Sequence, residues 1–172
     1  MFLYFVIYSF FGWVFEVAYA YSHQGKFVNR GFLHGPFCPV YGFSSVLILI
    51  ILEPFKDSYG LLFVTSAILI STIEYFTGLV LEKVFNQKWW DYTDDPFNLH
   101  GRICLLFSLM WGAACVIVLK VFHPIFTTLL SLISNETSVY VCIVFAIYFA
   151  VDGTATLLKL TNTDVASKLK FN

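Results

Sequence analysis

Long apolar runs alternate with short polar segments along this chain of 172 residues and divide it into candidate membrane spans. The runs cover residues 2–22, 38–56, 59–82, 102–122 and 138–158. Each has about the 20 apolar residues that a helix needs to cross a bilayer. A shorter apolar stretch, 124–133, follows His123-Pro124 and predicts a separate interfacial or re-entrant turn. The pattern therefore predicts an all-α, polytopic membrane helix bundle of about five transmembrane helices, in a single domain over 1–172.

One six-residue motif occurs twice, each time at the start of an apolar run. The copies read Leu33-His34-Gly35-Pro36-Phe37-Cys38 and Leu99-His100-Gly101-Arg102-Ile103-Cys104. The apolar run upstream of each copy contains a glutamate, Glu16 in the first case and Glu74 in the second. This pattern predicts a parallel two-helix repeat, with units of about 2–56 and 59–122 related by an axis along the membrane normal. Residues 138–158 would then form a fifth helix.

Composition supports a lipid environment, because 59% of the residues are hydrophobic and only 12% are charged. An ordinary soluble domain has about twice that charged fraction. The formal charge of −1 gives no indication of a nucleic-acid partner. No Lys or Arg precedes Lys26, so we expect a retained first helix and not a cleaved signal peptide.

Basic residues are distributed unevenly between the two predicted sides of the membrane. One side has only Lys56 and Lys120, whereas the other has eight basic residues: Lys26, Arg30, Lys83, Lys88, Arg102, Lys159, Lys168 and Lys170. Cytoplasmic segments carry an excess of Lys and Arg. We therefore expect the N-terminus outside and the C-terminus in the cytoplasm.

Three acidic residues lie inside predicted spans at a similar depth. Glu16, Glu74 and Asp152 each precede the predicted cytoplasmic end of their helix by roughly 9–12 Å. Ionisable groups within a span are costly and are functional candidates by default. We expect the three acids to form a polar layer near the cytoplasmic face, with Arg102 as the paired cation. The same layer could serve only to hold the helices together, and both interpretations stay open.

Two predicted cytoplasmic segments carry further candidate binding residues. Asn29 and Arg30, with neighbouring glycines, could present donors to a phosphate, although they also suit an ordinary positively charged surface loop. Trp89, Trp90 and Asp91 are consecutive. Paired tryptophans between charges are typical of an interfacial anchor, and the alternative is a lid that grips an apolar ligand.

The duplicated motif also suggests a metal site at first sight. His34, Cys38, His100 and Cys104 are weak candidates, because two His and two Cys would complete a tetrahedral zinc shell. However, Gly35-Pro36 interrupts the first pair, so its side chains are not expected on one helical face. The favoured interpretation is a repeated turn into the membrane, with no metal and no cofactor.

Several longer motifs resemble a known family over about 8–124. They are Gly12-Trp13…Glu16, Asn29-Arg30-Gly31-Phe32-Leu33…Gly35-Pro36…Cys38-Pro39-Val40-Tyr41-Gly42, Glu74-Tyr75…Gly78…Leu81-Glu82, Trp89-Trp90-Asp91-Tyr92 and Phe97-Asn98…Gly101-Arg102-Ile103-Cys104. Together they are similar to the type IV ABC-transporter family of bacterial integral membrane proteins. The resemblance implies a permease-like component in a bacterial plasma membrane and supplies no catalytic residues.

The first functional hypothesis is therefore a transporter component of unknown substrate. The sequence contains no P-loop, so a cytoplasmic ATP-binding subunit would have to dock on the 23–37 and 83–101 segments. So small a permease would also need a homodimer or a partner permease. The alternative is a membrane-embedded enzyme or lipid-binding protein, in which Arg30 and Arg102 bind a phosphate-bearing head group and a carboxylate acts as base. A third hypothesis is a scaffold subunit. No catalytic motif is recognisable, which favours transport over catalysis.

Overall fold

A computed structural model describes the chain over residues 1–169, without the side chains of Glu53 and of 162–169. Five helices form most of it: α1 (Phe2–Gln24), α2 (Pro39–Ile51), α3 (Tyr59–Phe85), α4 (Leu105–Ser131) and α5 (Asn135–Leu169). A short 3-10 helix (Glu53–Phe55) follows α2, and strands β1 (Asn98–Leu99) and β2 (Ile103–Cys104) precede α4. Two residues of the orientation argument, Lys168 and Lys170, fall outside the described side chains.

Four of these helices are long and apolar enough to cross a membrane: α1, α3, α4 and the Asn135–Thr161 part of α5. The remaining helix, α2, is apolar but has only 13 residues, or about 20 Å at 1.5 Å per residue. It is shorter than the predicted 38–56 because the chain stays non-helical up to Cys38 and leaves the α-helix before Glu53-Pro54. The predicted all-α membrane bundle is confirmed, with one helix shorter than expected.

The predicted helix break at His123-Pro124 is wrong, because α4 continues through both residues. A π-helical segment, Val118–Phe122, lies immediately before them, and the His123 amide donates to the Val118 carbonyl five residues earlier. Such a widened turn shifts the hydrogen-bond register ahead of the proline, which has no amide hydrogen to give. The apolar stretch 124–133 is therefore mainly the end of α4 and not a separate turn.

The described chain forms two compact units. The first unit consists of Met1–Ser45 and of the described residues from Ile133 onward, and so joins the two ends of the described chain. Its core contains Val6 of α1 together with Leu33 and Phe37 from the first loop, which we define as 25–38. These loop residues are only 5% and 7% exposed, and aromatic rings of α5 pack on them. The first loop is therefore part of the core of this unit.

The second unit, Val46–Leu132, is built on the pairing of α3 with α4. Ser71 donates to Ser108 at 2.7 Å, and a side chain added at Gly112 would press on the Phe63 carbonyl. The order of these contacts shows that the two helices run in opposite directions. Ile48, Leu52, Leu62 and Cys115 form the core. The predicted two-helix repeat stays a prediction.

Close approach of α1 and α2 depends on a glycine. A Cβ built at Gly12 would collide with the Tyr41 ring, whereas one at Gly60 would meet nothing within 4 Å. We expect Gly12→Ala to lower the free energy of unfolding by about 1–3 kcal/mol, as overpacking does. Denaturant titration followed by circular dichroism measures this. Gly60→Ala is the control and should be neutral or slightly stabilising, so equal losses in both variants would contradict the contact.

Candidate functional site

Glu16 lies at the centre of a polar cluster in the first unit. The Tyr41 hydroxyl donates to Glu16 Oε1 at 2.6 Å, and Arg30 Nη1 lies 3.5 Å from Glu16 Oε2. The guanidinium also lies over the Tyr19 ring, 5.7 Å from its centroid. The Glu16 and Arg30 side chains are 23% and 27% exposed, so the ion pair is only partly shielded. Tyr41 is a member that the sequence analysis missed.

Asn29 fastens the first loop to α1. Its Oδ1 accepts from Trp13 Nε1 at 2.8 Å and from the Gly31 amide at 3.0 Å. Its Nδ2 donates to the His34 carbonyl at 2.9 Å. These bonds occupy the amide group that we expected to present to an anion, so the contacts of Asn29 are those of a structural residue.

Asp152 holds the same loop from the other side. Its Oδ1 accepts from the His34 amide at 3.1 Å, and its Oδ2 accepts from the Gly35 amide at 2.9 Å. The Tyr148 hydroxyl donates to Oδ2 at 3.2 Å, and the Thr156 hydroxyl lies 3.4 Å from Oδ1. Asp152 is 9% exposed. Non-helical backbone at membrane depth is tolerated only where such groups satisfy it.

The second unit contains two glutamates with different partners. The Tyr92 hydroxyl donates to Glu74 Oε1 at 2.9 Å. Arg102, 17% exposed, donates from Nη2 to Glu82 Oε2 at 2.7 Å and lies over the Tyr75 ring at 5.5 Å. Each of the three predicted layer acids thus has its own set of partners, and the layer as a functional feature stays a prediction.

Glu82 is a site residue that sequence reasoning missed. A signal existed: the spacing from Gly12 to Glu16 recurs from Gly78 to Glu82. Each of these glutamates also forms an ion pair with an arginine of the loop that follows its helix. The end of α1 therefore resembles the end of α3 more closely when Glu16 is matched with Glu82 than when it is matched with Glu74.

The second loop, 86–104, has a rigid and unusual backbone. Phe97, His100 and Gly101 have positive φ angles of 55°, 55° and 67°. Asn98 stabilises this turn, because its Nδ2 donates to the Asp95 carbonyl at 2.9 Å and its Oδ1 accepts from the Gly101 amide at 3.1 Å. The Phe97 side chain is 83% exposed. The Phe97 ring therefore projects from a loop whose backbone is fixed by hydrogen bonds.

The two predicted anchor tryptophans lie on the inner side of the second loop. Trp90 Nε1 donates to the Arg102 carbonyl at 2.9 Å, and its ring lies against Gly78 of α3. Trp89 packs edge-on against Phe85, with ring centroids 6.1 Å apart. These contacts tie the loop to the end of α3.

Protonation of Asp91 is expected to loosen the second loop only in strong acid. Bonds from Lys88 Nζ and from the Thr93 hydroxyl and amide hold the pKa of Asp91 at about 2, below its ordinary 3.8. Since the folded-state pKa is the lower one, this stabilisation is complete above pH 3.8 and is lost as pH falls through about 2. An NMR titration of the full chain in micelles should give that midpoint. Lys88→Ala should raise it, whereas the neighbouring control Lys83→Ala should not.

The weak metal candidates have other neighbours. His34 Nδ1 lies 2.8 Å from Thr156 Oγ1, and His100 Nδ1 lies 3.0 Å from the Tyr75 hydroxyl. Cys38 and Cys104 are buried free thiols, each directly preceding a helix. Within the described residues, no group of three or more His, Cys, Asp or Glu side chains has a metal-binding arrangement.

Comparison with known proteins identifies a family over most of the chain. A family model described as "Putative ABC-transporter type IV" matches residues 3–157. No curated protein and no solved structure gives a match. The matched region includes the Glu16, Glu74, Arg102 and Asp152 clusters.

Proposed function

Because this chain belongs to the putative ABC-transporter type IV family, we propose that it is the permease-like membrane component of an ABC-type transporter. The observation that carries the proposal is the family match over 3–157, which includes α1 to α4 and most of the apolar part of α5. Four helices of spanning length support a multi-pass membrane protein. The substrate is not assigned.

Energy would come from a separate ATP-binding subunit, and the second loop supports a docking surface for it. Phe97 projects from this loop, 83% exposed, and Leu99 beside it is 50% exposed. Exposed aromatic anchors on a rigid frame are typical centres of protein interfaces. Asp94 and Asp95 are adjacent in sequence, which suits a partner whose apolar pocket has a basic rim.

The orientation and assembly are part of the same proposal. The segments after α1 and α3 have four basic residues and the segments after α2 and α4 have one, which supports a cytoplasmic location for both loops in a bacterial plasma membrane. The N-terminus would then be outside. Four long helices make a small permease, so a second copy of the chain or another membrane subunit would complete the pathway.

Affinity purification of the full chain from gently solubilised host membranes tests the proposal. We expect an ATP-binding subunit, identified by mass spectrometry, to co-purify and to hydrolyse ATP in the complex. Phe97→Ala should reduce the recovery of this subunit. The control Leu132→Ala, at a residue of similar exposure (78%), should not reduce it. Absence of any ATP-binding subunit from the wild-type preparation would refute the transporter assignment.

The enzymatic form of the alternative hypothesis has little support from the contacts. Arg102 is hydrogen-bonded to Glu82, which lowers the positive potential that a phosphate-bearing substrate would need. Asp152 accepts from two backbone amides and the Tyr148 hydroxyl, and the His34 ring lies 3.4 Å from it, so its contacts are mainly those of a structural acceptor. The longer contact of Arg30 with Glu16, at 3.5 Å, bears on anion binding and not on catalysis.

A further inference from the structure

The Arg30 guanidinium is incompletely bonded. Its contacts within the described residues are an ion pair with Glu16 at 3.5 Å, which is too long for a hydrogen bond, and the Tyr19 ring. Arg102 instead forms a hydrogen bond to its glutamate at 2.7 Å. A guanidinium has five donors arranged in a fork that matches phosphate and carboxylate oxygens. Arg30 therefore retains donor capacity for a ligand.

Contacts within the first unit show how deep this guanidinium lies. Near the start of α1, Phe5 packs on Phe149 of α5 with ring centroids 5.2 Å apart. Further along, Trp13 is hydrogen-bonded to the first loop, whose His34 lies 2.8 Å from Thr156 of α5. The contacts follow the same order on both helices, so α1 and α5 run in the same direction. Trp13 is then about level with Thr156.

Glu16 and Arg30 lie about one helical turn beyond Trp13. At that level the apolar run of α5 ends in the sequence, at Lys159 and the polar residues 161–164 that follow. The side chain of Phe27 is 64% exposed and its ring packs on Trp13 at 6.1 Å. Tryptophan and tyrosine side chains, such as those of Trp13 and Tyr19, collect at the head-group level of a bilayer. These positions put the guanidinium at head-group depth.

The surroundings of Arg30 favour an anion. Lys26 follows the end of α1 and is exposed, so a second positive charge lies in the same loop. The Tyr41 hydroxyl donates to Glu16 Oε1, so one oxygen of that carboxylate is bonded to Tyr41 and not to Arg30. Tyr19 supports the guanidinium from one side and packs on His23 at 4.2 Å. We infer that Arg30 binds the phosphate of an anionic lipid head group, or a free phosphate of the same chemistry, at the membrane boundary of the first unit.

Native mass spectrometry of the purified full chain tests this site, independently of any ATP-binding partner. The probes are phosphatidylglycerol, phosphatidylcholine and inorganic phosphate. Wild type should prefer phosphatidylglycerol, and Arg30→Gln should weaken its binding about tenfold, as loss of a charge-assisted bond does. Lys83→Gln removes an equal charge from the end of α3 and should change the affinity less than twofold.

A gain-of-binding variant separates the site from a folding effect. Glu16→Gln removes the competing carboxylate and should tighten phosphatidylglycerol binding, which a misfolded protein would not do. Competition by millimolar inorganic phosphate would support the site and assign the free anion as its ligand. An Arg30→Gln variant with wild-type preference, equal losses in Arg30→Gln and Lys83→Gln, or weaker binding in Glu16→Gln would each overturn the inference.

Discussion

Replacing Asp152 by alanine is expected to lower the free energy of unfolding of the detergent-solubilised chain by about 3 kcal/mol. The carboxylate accepts the amide hydrogens of His34 and Gly35, and the Tyr148 hydroxyl also donates to it. Its removal leaves buried donors without an acceptor, and each unsatisfied donor costs about 1–3 kcal/mol. A denaturant titration followed by circular dichroism measures the loss.

A second measurement shows where the Asp152→Ala variant fails. Cys38, at the end of the first loop, is 4% exposed, so it should react slowly with maleimide in the wild type. Detachment of the loop from α5 should speed its labelling, as followed by peptide mass mapping. Thr154→Ala is the matched control, since this exposed hydroxyl donates to the Ala150 carbonyl within α5 and has no other bond among the described residues. Equal stability and labelling in both variants would refute the role given to Asp152.

Glu82→Ala is expected to cost about 2 kcal/mol, because hydrogen bonds to charged groups are worth about 1.5–3 kcal/mol and Glu82 is partly exposed. The substitution leaves the Arg102 guanidinium, 17% exposed, without its carboxylate. Denaturant midpoints of the single variants and of the Glu82→Ala, Arg102→Ala double variant measure the coupling. The double variant should lose less than the sum of the single losses. Strictly additive losses would mean that the pair contributes nothing.

The helices were predictable because their apolar runs are long and their charges few. The sequence pattern located α1, α3, α4 and α5 to within a few residues at most ends. It failed at Pro124, because a proline normally ends a helix and nothing local signals that a π turn will accommodate it. It overestimated α2 mainly at its C-terminal end, where the chain leaves the α-helix before Glu53-Pro54, since a proline disfavours the α conformation of the residue before it.

The candidate site was predictable by residue type but not by partner. The sequence analysis selected the acids inside apolar runs, yet the backbone amides that Asp152 bonds lie more than a hundred residues away in sequence. Glu82 was passed over because it lies at a helix end, where a charge is ordinary. The contact with Arg102, together with the repeated spacing from glycine to glutamate, distinguishes it from neighbouring charges.

The capture of the first loop by Asp152 has a consequence for the order of assembly during synthesis. The two hydrogen bonds join residues separated by 118 and 117 positions, and the first unit contains both ends of the described chain. A ribosome delivers the second unit, Val46–Leu132, before Asp152 exists. Until α5 is inserted, the amides of His34 and Gly35 need temporary acceptors, from water or from the insertion machinery. The first loop, although synthesised early, therefore reaches its final hydrogen bonding only after α5 is in place.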